Sequence, residues 1–334
     1  MKSPSTKQKF ARAALAVVPI SLAAGALVYW RYRDDLRAAE SRVSSGSKLA
    51  STPDGPIEYA EARSGAPVLV IHGAGGGFDQ GLEFAQPLIE HGFRVIAPSR
   101  FGYLRTPLRP EASPMAQADA HAGLLDALHL DKVAVVGVSA GAPSAMQLCL
   151  LHPGRCSALV LAVPLAYSAP AAGAAAEEAS TEGSQTLKEF LLDTMLTSNF
   201  TFWAVSKLAR NAMIRTILGT PPGDVETAGK EEAAWVDEIL DHIQPISRRK
   251  KGLKNETAIA RSLARYDLER LQLPTLVIAV ENCLYHTYPG ACYTAENIAG
   301  ARLLCLPTGG HLAVGHREEL WSEVQNFLRR AAEN

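Results

Sequence analysis

Seven short apolar runs recur along this chain of 334 residues, at 56–62, 67–72, 93–98, 132–137, 158–163, 274–280 and 301–306. Segments such as "PVLVIH", "KVAVVG" and "PTLVIAV" are rich in Val, Ile and Leu, and they mostly lack apolar/polar alternation. A strand with one wet face alternates; a strand buried on both faces of a parallel sheet does not. Helical patterns at 80–91, 114–129, 140–152, 292–299 and 317–332 separate the runs. This order predicts an α/β fold, a mostly parallel central sheet with helices on both faces.

The spacing breaks once. Between residues 163 and 274 no clear strand can be read, and the gap opens with the low-complexity segment "SAPAAGAAAEEASTEGS" at 168–184. Helical patterns follow, so the stretch reads as an inserted cap over one edge of the sheet. The expected organisation is a membrane anchor and linker over 1–45, a first core part over 46–165, a helical cap over 166–267 and a second core part over 268–334.

The anchor rests on Ala13–Trp30, eighteen residues without a charge that follow a positive, polar start. That length just spans a bilayer, and "YWRYR" at 29–33 suits an interface. The expectation is a single-pass membrane protein, with a cleaved signal at "AGA" (24–26), hence a secreted or periplasmic protein, as the alternative. A net charge of −1 and 47% apolar residues exclude a disordered chain and a nucleic-acid binder. The one basic run, "RRKKGLK" at 248–254, reads as a solvated loop. The five cysteines show no metal-ligand spacing. Cys305 reads as a buried strand residue, and Cys283 with Cys292 could pair in an oxidising compartment.

Chemistry enters with "GVSAG" at 137–141, between the strand "KVAVV" and the helix "APSAMQLCLLH". A serine there sits on a strained strand-to-helix turn, where residues larger than glycine two positions away would collide with neighbouring backbone. The Ala140 amide falls at a helix start, suited to stabilise an anion. "HGAGGG" at 72–77 ends an earlier strand; its glycines let amides approach an oxyanion, with Ala74 the second expected donor. No nucleotide-binding glycine pattern can be written through 73–81. His311, in "LPTGGH" beyond the last strand, is the expected general base, and His316 reads as structural.

With these residues in place, the chain resembles serine hydrolases of the α/β-hydrolase fold superfamily, in the esterase and monoacylglycerol-lipase-like branch. "HGAGGG", "PSRFGYLRT", "GVSAG" and "PTGGH" carry the match, over roughly 50–334. The resemblance implies a Ser139–His311 pair, oxyanion amides from Ala74 and Ala140, and a cap that shapes an acyl pocket. It implies no cofactor and no metal. Phe200, Phe202, Trp203, Ile214, Leu218, Trp235 and Ile239 are candidates for that pocket, with packing of the cap on the core as the rival reading. Arg100 and Tyr103 are candidates near its entrance, although an arginine tying down its own turn is the rival for Arg100.

The pattern breaks at the triad acid. Similar hydrolases carry Asp shortly after the strand "PTLVIAV"; here the chain reads "VENCLYHTY", with Asn282 and Cys283 at the two expected places. Glu281 could take the role, Asn282 could orient the histidine, or the acid is lost. The expected function is hydrolysis of lipid-like or small acyl esters through an acyl-enzyme. The alternative is an impaired relative that binds a ligand or partner, and a narrower one is a peptidase that would hold a substrate amine on cap acids such as Glu231, Glu232, Asp237 or Glu238.

Overall fold

The computed structural model describes residues 6–168, 196 and 198–333, with side chains from residue 23 onward. Eight strands form one sheet: β1 (Lys48–Thr52), β2 (Gly55–Ala62), β3 (Pro67–Ile71), β4 (Arg94–Pro98), β5 (Val133–Val138), β6 (Cys156–Ala162), β7 (Thr275–Val280) and β8 (Arg302–Leu306). Their order is β1-β2-β4-β3-β5-β6-β7-β8. β1 and β2 pair antiparallel, β2 pairs antiparallel with β4, and every pairing from β4 to β8 is parallel. β1 is the strand that the apolar pattern did not show, because "KLAST" buries only Ala50 of its five residues.

The central strands lack alternation because both faces are covered. β5 and β7 are buried at every position. One face packs against helices α4 (Pro114–Ala127) and α5 (Ala142–Leu151), through residues such as Leu124, Leu125, Met146 and Leu148. The other packs against α3 (Gln86–Glu90), which follows the short α2 (Phe78–Phe84), and the terminal helix, through Leu88, Trp321, Val324 and Phe327. At the sheet's end β8 is an edge strand, so Cys305 is exposed, which corrects the expectation that it is buried.

Between β6 and β7 the described chain is helical: α6 (Asn199–Leu208), α7 (Arg210–Ile217), α8 (Pro222–Thr227), α9 (Lys230–His242) and α10 (Lys250–Arg261). These helices enclose their own apolar cluster, with Phe202, Ile214, Val236 and Leu240 at its centre. Most of the low-complexity segment at 168–184 lies outside the described residues. After β7 come α11 (Tyr288–Glu296) and, beyond β8, α12 (Arg317–Glu333).

The N-terminal expectation is corrected. Residues Thr6–Ser44 form one continuous helix, α1, rather than an anchor followed by a linker. Among the described residues no helix is long and apolar enough to cross a membrane, so the predicted single-pass membrane location falls, and the expected partnership with a membrane through this helix has no support. The C-terminal part of α1 instead docks on α6 and α9. Ala39 and Val43 are buried, the Tyr32 ring meets Phe200 edge-on at 5.1 Å, and Trp203 Nε1 donates to Asp35 at 2.7 Å.

The basic run also departs from its reading. Arg249 is fully buried, and Lys250 begins α10. Its guanidinium donates to Asp79 Oδ2 at 2.7 Å and to the carbonyl of Gly76, while Arg42 of α1 reaches the same carboxylate at 3.4 Å. Burial alone would raise the Asp79 carboxyl; the two arginines outweigh it and hold the group at about 2. The charge of this acid is therefore kept down to strongly acidic pH, and its contribution to stability is present above pH 4 and lost between about 4 and 2. Arg249→Ala is expected to lower stability by about 3 kcal/mol, as removal of one partner from a buried pair does. Urea unfolding at pH 7 checks this, with the more exposed Arg248→Ala, paired with Glu40, costing under about 1 kcal/mol.

Candidate active site

The two glycines around Ser139 are dictated by close packing. A Cβ on Gly137 would lie 2.6 Å from Ala145 Cβ, and one on Gly141 would lie 2.4 Å from the carbonyl oxygen of Ile71 and 2.6 Å from that of His72. No side chain fits in either place. Ser139 itself adopts φ +50°, a left-handed conformation that costs about 1–3 kcal/mol in a non-glycine residue. The turn continues through Gly141 into α5. The Ala140 amide is thereby among those that a helix start leaves without an intrahelical acceptor.

The loop carrying Ala74 lies against this elbow: a Cβ on Gly73 would meet Ser139 Cβ at 3.2 Å. His72 fixes the loop. The amide of Arg100 donates to His72 Nε2 at 3.0 Å, so the proton sits on Nδ1, which donates to the Gly73 carbonyl at 2.7 Å. Burial, followed by the Arg100 charge, holds His72 well below the usual histidine range and keeps it neutral.

Arg100 and Tyr103 have structural positions rather than places in the cleft. The Arg100 guanidinium donates to the carbonyl of Ala140 at 3.1 Å and that of Gly73 at 3.1 Å, and it pairs with Glu256 of α10. It therefore bridges the elbow, the glycine loop and the helical insert. Desolvation lowers its pKa only to about 10, so it stays charged at neutral pH. Tyr103 is fully buried, and its hydroxyl accepts from the Gly75 amide at 3.4 Å.

His311 Nε2 stands 2.8 Å from Ser139 Oγ, the contact that a nucleophile and its general base require. The loop that carries it is held from below. Gly309 and Gly310 take positive φ values of 104° and 61°. Their amides donate to Asp224 Oδ2 at 2.8 Å and Asn282 Oδ1 at 2.9 Å, and Asn282 Nδ2 donates to the same Asp224 oxygen at 2.7 Å. Asn282 thus holds the loop backbone and not the imidazole. The Tyr285 ring packs edge-on against the His311 ring at 4.8 Å.

Nδ1 of His311 faces the sulfur of Cys283 at 3.2 Å. Glu281 does not approach the ring: it is exposed, and its Oε1 lies 3.5 Å from Cys305 Sγ on the outer side of the sheet. β7 ends at Val280, and the turn that follows, closed by the Cys283 amide on the Val280 carbonyl at 3.3 Å, breaks the alternation of the strand, under which residues 281 and 283 would share a side. Cys283 occupies one of the two positions where an acid was expected, which the spacing after β7 already indicated. Asp224 could not be found from sequence, because nothing in "TPPGDVET" distinguishes it from an ordinary first-turn acid. All five cysteines are free, so Cys283 and Cys292 form no disulfide.

The cleft above Ser139 measures about 580 Å³ with its open mouth, and Gly73, Ala74, Phe84, Ile217, Leu218, Ile239, Ile243, Tyr285 and Leu312 line it together with Gln80. Of the expected pocket residues, Phe200 and Trp203 lie elsewhere, on α6 against α1. Leu218 and Ile239, expected with them, do line it, because the face of the insert turned to Ser139 is formed by α7 and α9.

Desolvation lowers the His311 pKa to about 4, and among the described residues no anion stands at Nδ1 to raise it. A depressed histidine is neutral, and able to accept a proton, at every pH above that value. Serine-dependent turnover is therefore expected to be level from about pH 5.5 to 8 and to fall only as the pH drops through 4; a rate profile over pH 3.5–8.5 checks it.

Residues 66–282, over half of the chain, match the family model described as alpha/beta hydrolase fold. An uncharacterised hydrolase of Bacillus subtilis is 35% identical over 107 residues, 32% of this chain and 37% of the relative. A 2-hydroxy-6-oxo-6-phenylhexa-2,4-dienoate hydrolase of Comamonas testosteroni is 30% identical over 132 residues, 37% of this chain and 46% of the relative. The chain thus spans less than half the length of these curated relatives. A solved alpha/beta hydrolase fold protein from Nakamurella multipartita superposes with a TM-score of 0.63 at 26% identity, covering 86% of this chain and 99% of that one. The sheet order, the strained serine and the matched region lead to one conclusion: the chain belongs to the alpha/beta hydrolase fold family.

Proposed function

We propose that the protein is a serine hydrolase that cleaves carboxylic esters with uncharged, apolar acyl groups. The observation that carries this reading is the 2.8 Å contact between Ser139 Oγ and His311 Nε2 at the floor of the cleft. In acylation Ser139 Oγ attacks the ester carbonyl as its proton passes to His311 Nε2, and the Ala74 and Ala140 amides receive the oxyanion. The imidazolium returns the proton to the leaving alcohol. Water then attacks the acyl-enzyme with the same histidine as base, releasing the acid and restoring Ser139.

The wall chemistry supports the choice of substrate. The Comamonas relative is named for a dienoate, an organic anion. Among the described residues that line the cleft there is no Lys or Arg to receive one, and Arg100 is spent on two carbonyls and Glu256. An uncompensated carboxylate in an apolar cleft is strongly disfavoured. The peptidase reading loses support for a related reason: Glu232 is engaged by the Gly315 amide and Arg317, and Asp237 by Arg210.

The test is fluorophosphonate labelling and p-nitrophenyl ester turnover. Wild type is expected to label and to turn over butyrate esters, and Ser139→Ala to lose labelling and at least about 10³-fold in kcat/KM. A phenylhexadienoate substrate is expected to react at least tenfold more slowly in kcat/KM than the ester. Folded wild type that never labels, yet is stabilised thermally by an apolar ligand, would replace this reading with the ligand-binding one.

A further inference from the structure

The position where a hydrolase of this family is expected to carry an acid holds a thiol, and the thiol is placed for work. Cys283 is buried, at 3% exposure, and its sulfur lies 3.2 Å from His311 Nδ1, on the side of the ring opposite Ser139. A second donor converges on the same atom: the Thr287 hydroxyl reaches Sγ at 3.2 Å. The other candidates are committed elsewhere, Asn282 to Gly310 and Asp224, and Glu281 to the outer side beside Cys305.

We propose that Cys283 is the third member of a Ser–His–Cys triad, a positioning residue whose sulfur accepts from His311 Nδ1 and so keeps Nε2 free to take the Ser139 proton. This rests on the hydrolase reading above. A neutral imidazole has one proton and two nitrogens, and only the form protonated at Nδ1 can act as base toward serine. When the group at Nδ1 fails to hold that form, as on replacing the acid by its amide, the rate falls about 10⁴-fold. Sulfur is a weak acceptor, but here it is the atom presented to Nδ1, with the Thr287 hydroxyl on its other side as a second donor. In the transition state the same contact receives the Nδ1–H of the imidazolium. The thiol orients the ring as a carboxylate does but, uncharged, does not supply the charge that stabilises the imidazolium. The design therefore predicts a competent but slow enzyme with a weakly basic histidine.

The titratable groups around the imidazole are few. Cys283 faces Nδ1, the Tyr285 ring lies against the face, Ser139 faces Nε2, and Asp224 lies behind the loop, bound to the Gly309 amide and Asn282. Among the described residues, a carboxylate introduced at 283 would be the one anion in contact with the ring.

The experiment compares wild type with Cys283→Val, Cys283→Ser and Cys283→Asp in the full chain. Its readouts are p-nitrophenyl butyrate kinetics, fluorophosphonate labelling, thermal melting, and the ¹⁵N shifts of His311. Valine fills the thiol's space without accepting, so kcat is expected to fall about 10- to 100-fold with KM within twofold, and the Nδ1 resonance to move. Serine is expected to keep part of kcat. Aspartate is expected to raise kcat at least tenfold above wild type and to move the acidic limb of the rate profile up by about one to three pH units. A purely structural cysteine would leave the Nδ1 resonance of a folded Cys283→Val enzyme unmoved. A folded Cys283→Val enzyme with wild-type kcat and an unmoved Nδ1 resonance overturns the proposal, as does a folded Cys283→Asp enzyme no faster than Cys283→Val. If wild type neither labels nor turns over, the hydrolase reading fails instead, and the ¹⁵N shifts still decide whether sulfur sets the tautomer.

Discussion

The site depends on one close approach, that of Gly141 to the carbonyls ending β3. The backbone oxygens of Ile71 and His72 stand where a Cβ on residue 141 would be. That contact brings the glycine loop after β3 against the strained turn after β5, two segments nearly seventy residues apart in sequence. It also explains why Ser139 keeps its left-handed conformation, since the turn has no room to relax. The Arg100 guanidinium secures the same approach by donating to Gly73 on one side and Ala140 on the other. Five donors on a rigid, permanently charged plane suit this task, which a lysine could not perform.

Of the polar contacts that fasten the helical insert between β6 and β7 to the rest of the fold, three reach the segments around Ser139 and His311. Arg249 meets Asp79 and Gly76 beside the glycine loop, Glu256 meets Arg100 behind the elbow, and Asp224 gathers Gly309 and Asn282 under the histidine loop. Each contact ends on a segment that carries Ser139, His311 or one of the two proposed oxyanion amides, Ala74 and Ala140. Cap and chemistry are thus mechanically coupled, and loss of a partner would leave a buried charge uncompensated. The N-terminal helix joins the arrangement through Arg42, which shares Asp79 and donates to the carbonyls of His242 and Gln244.

Legibility differed by the range of the interaction. The central strands, the elbow and His311 could be read because each is local: a run of β-branched residues, a glycine two positions either side of a serine, a pair of glycines before a histidine. β1 escaped because an edge strand with one buried residue has no pattern to show. Arg249 in "RRKKGLK" looked like a solvated charge because burial of an arginine depends on a partner, Asp79, that is 170 residues away in the chain. Phe200 and Trp203 looked like pocket residues because an apolar helix face does not state what it covers; they cover α1.

The proposed triad shows the division most sharply. The sequence by itself determined that a serine elbow, a glycine loop and a late histidine exist in the right order, and that the residues after β7 lack an aspartate. Only the tertiary structure decided which of Glu281, Asn282 and Cys283 meets the imidazole. The reason is geometric. A continued strand would put residues 281 and 283 on one side, but the chain turns directly after Val280, with the Cys283 amide bonded to the Val280 carbonyl, and this turn leaves Glu281 outward beside Cys305, Asn282 on the loop backbone and the Cys283 sulfur at Nδ1.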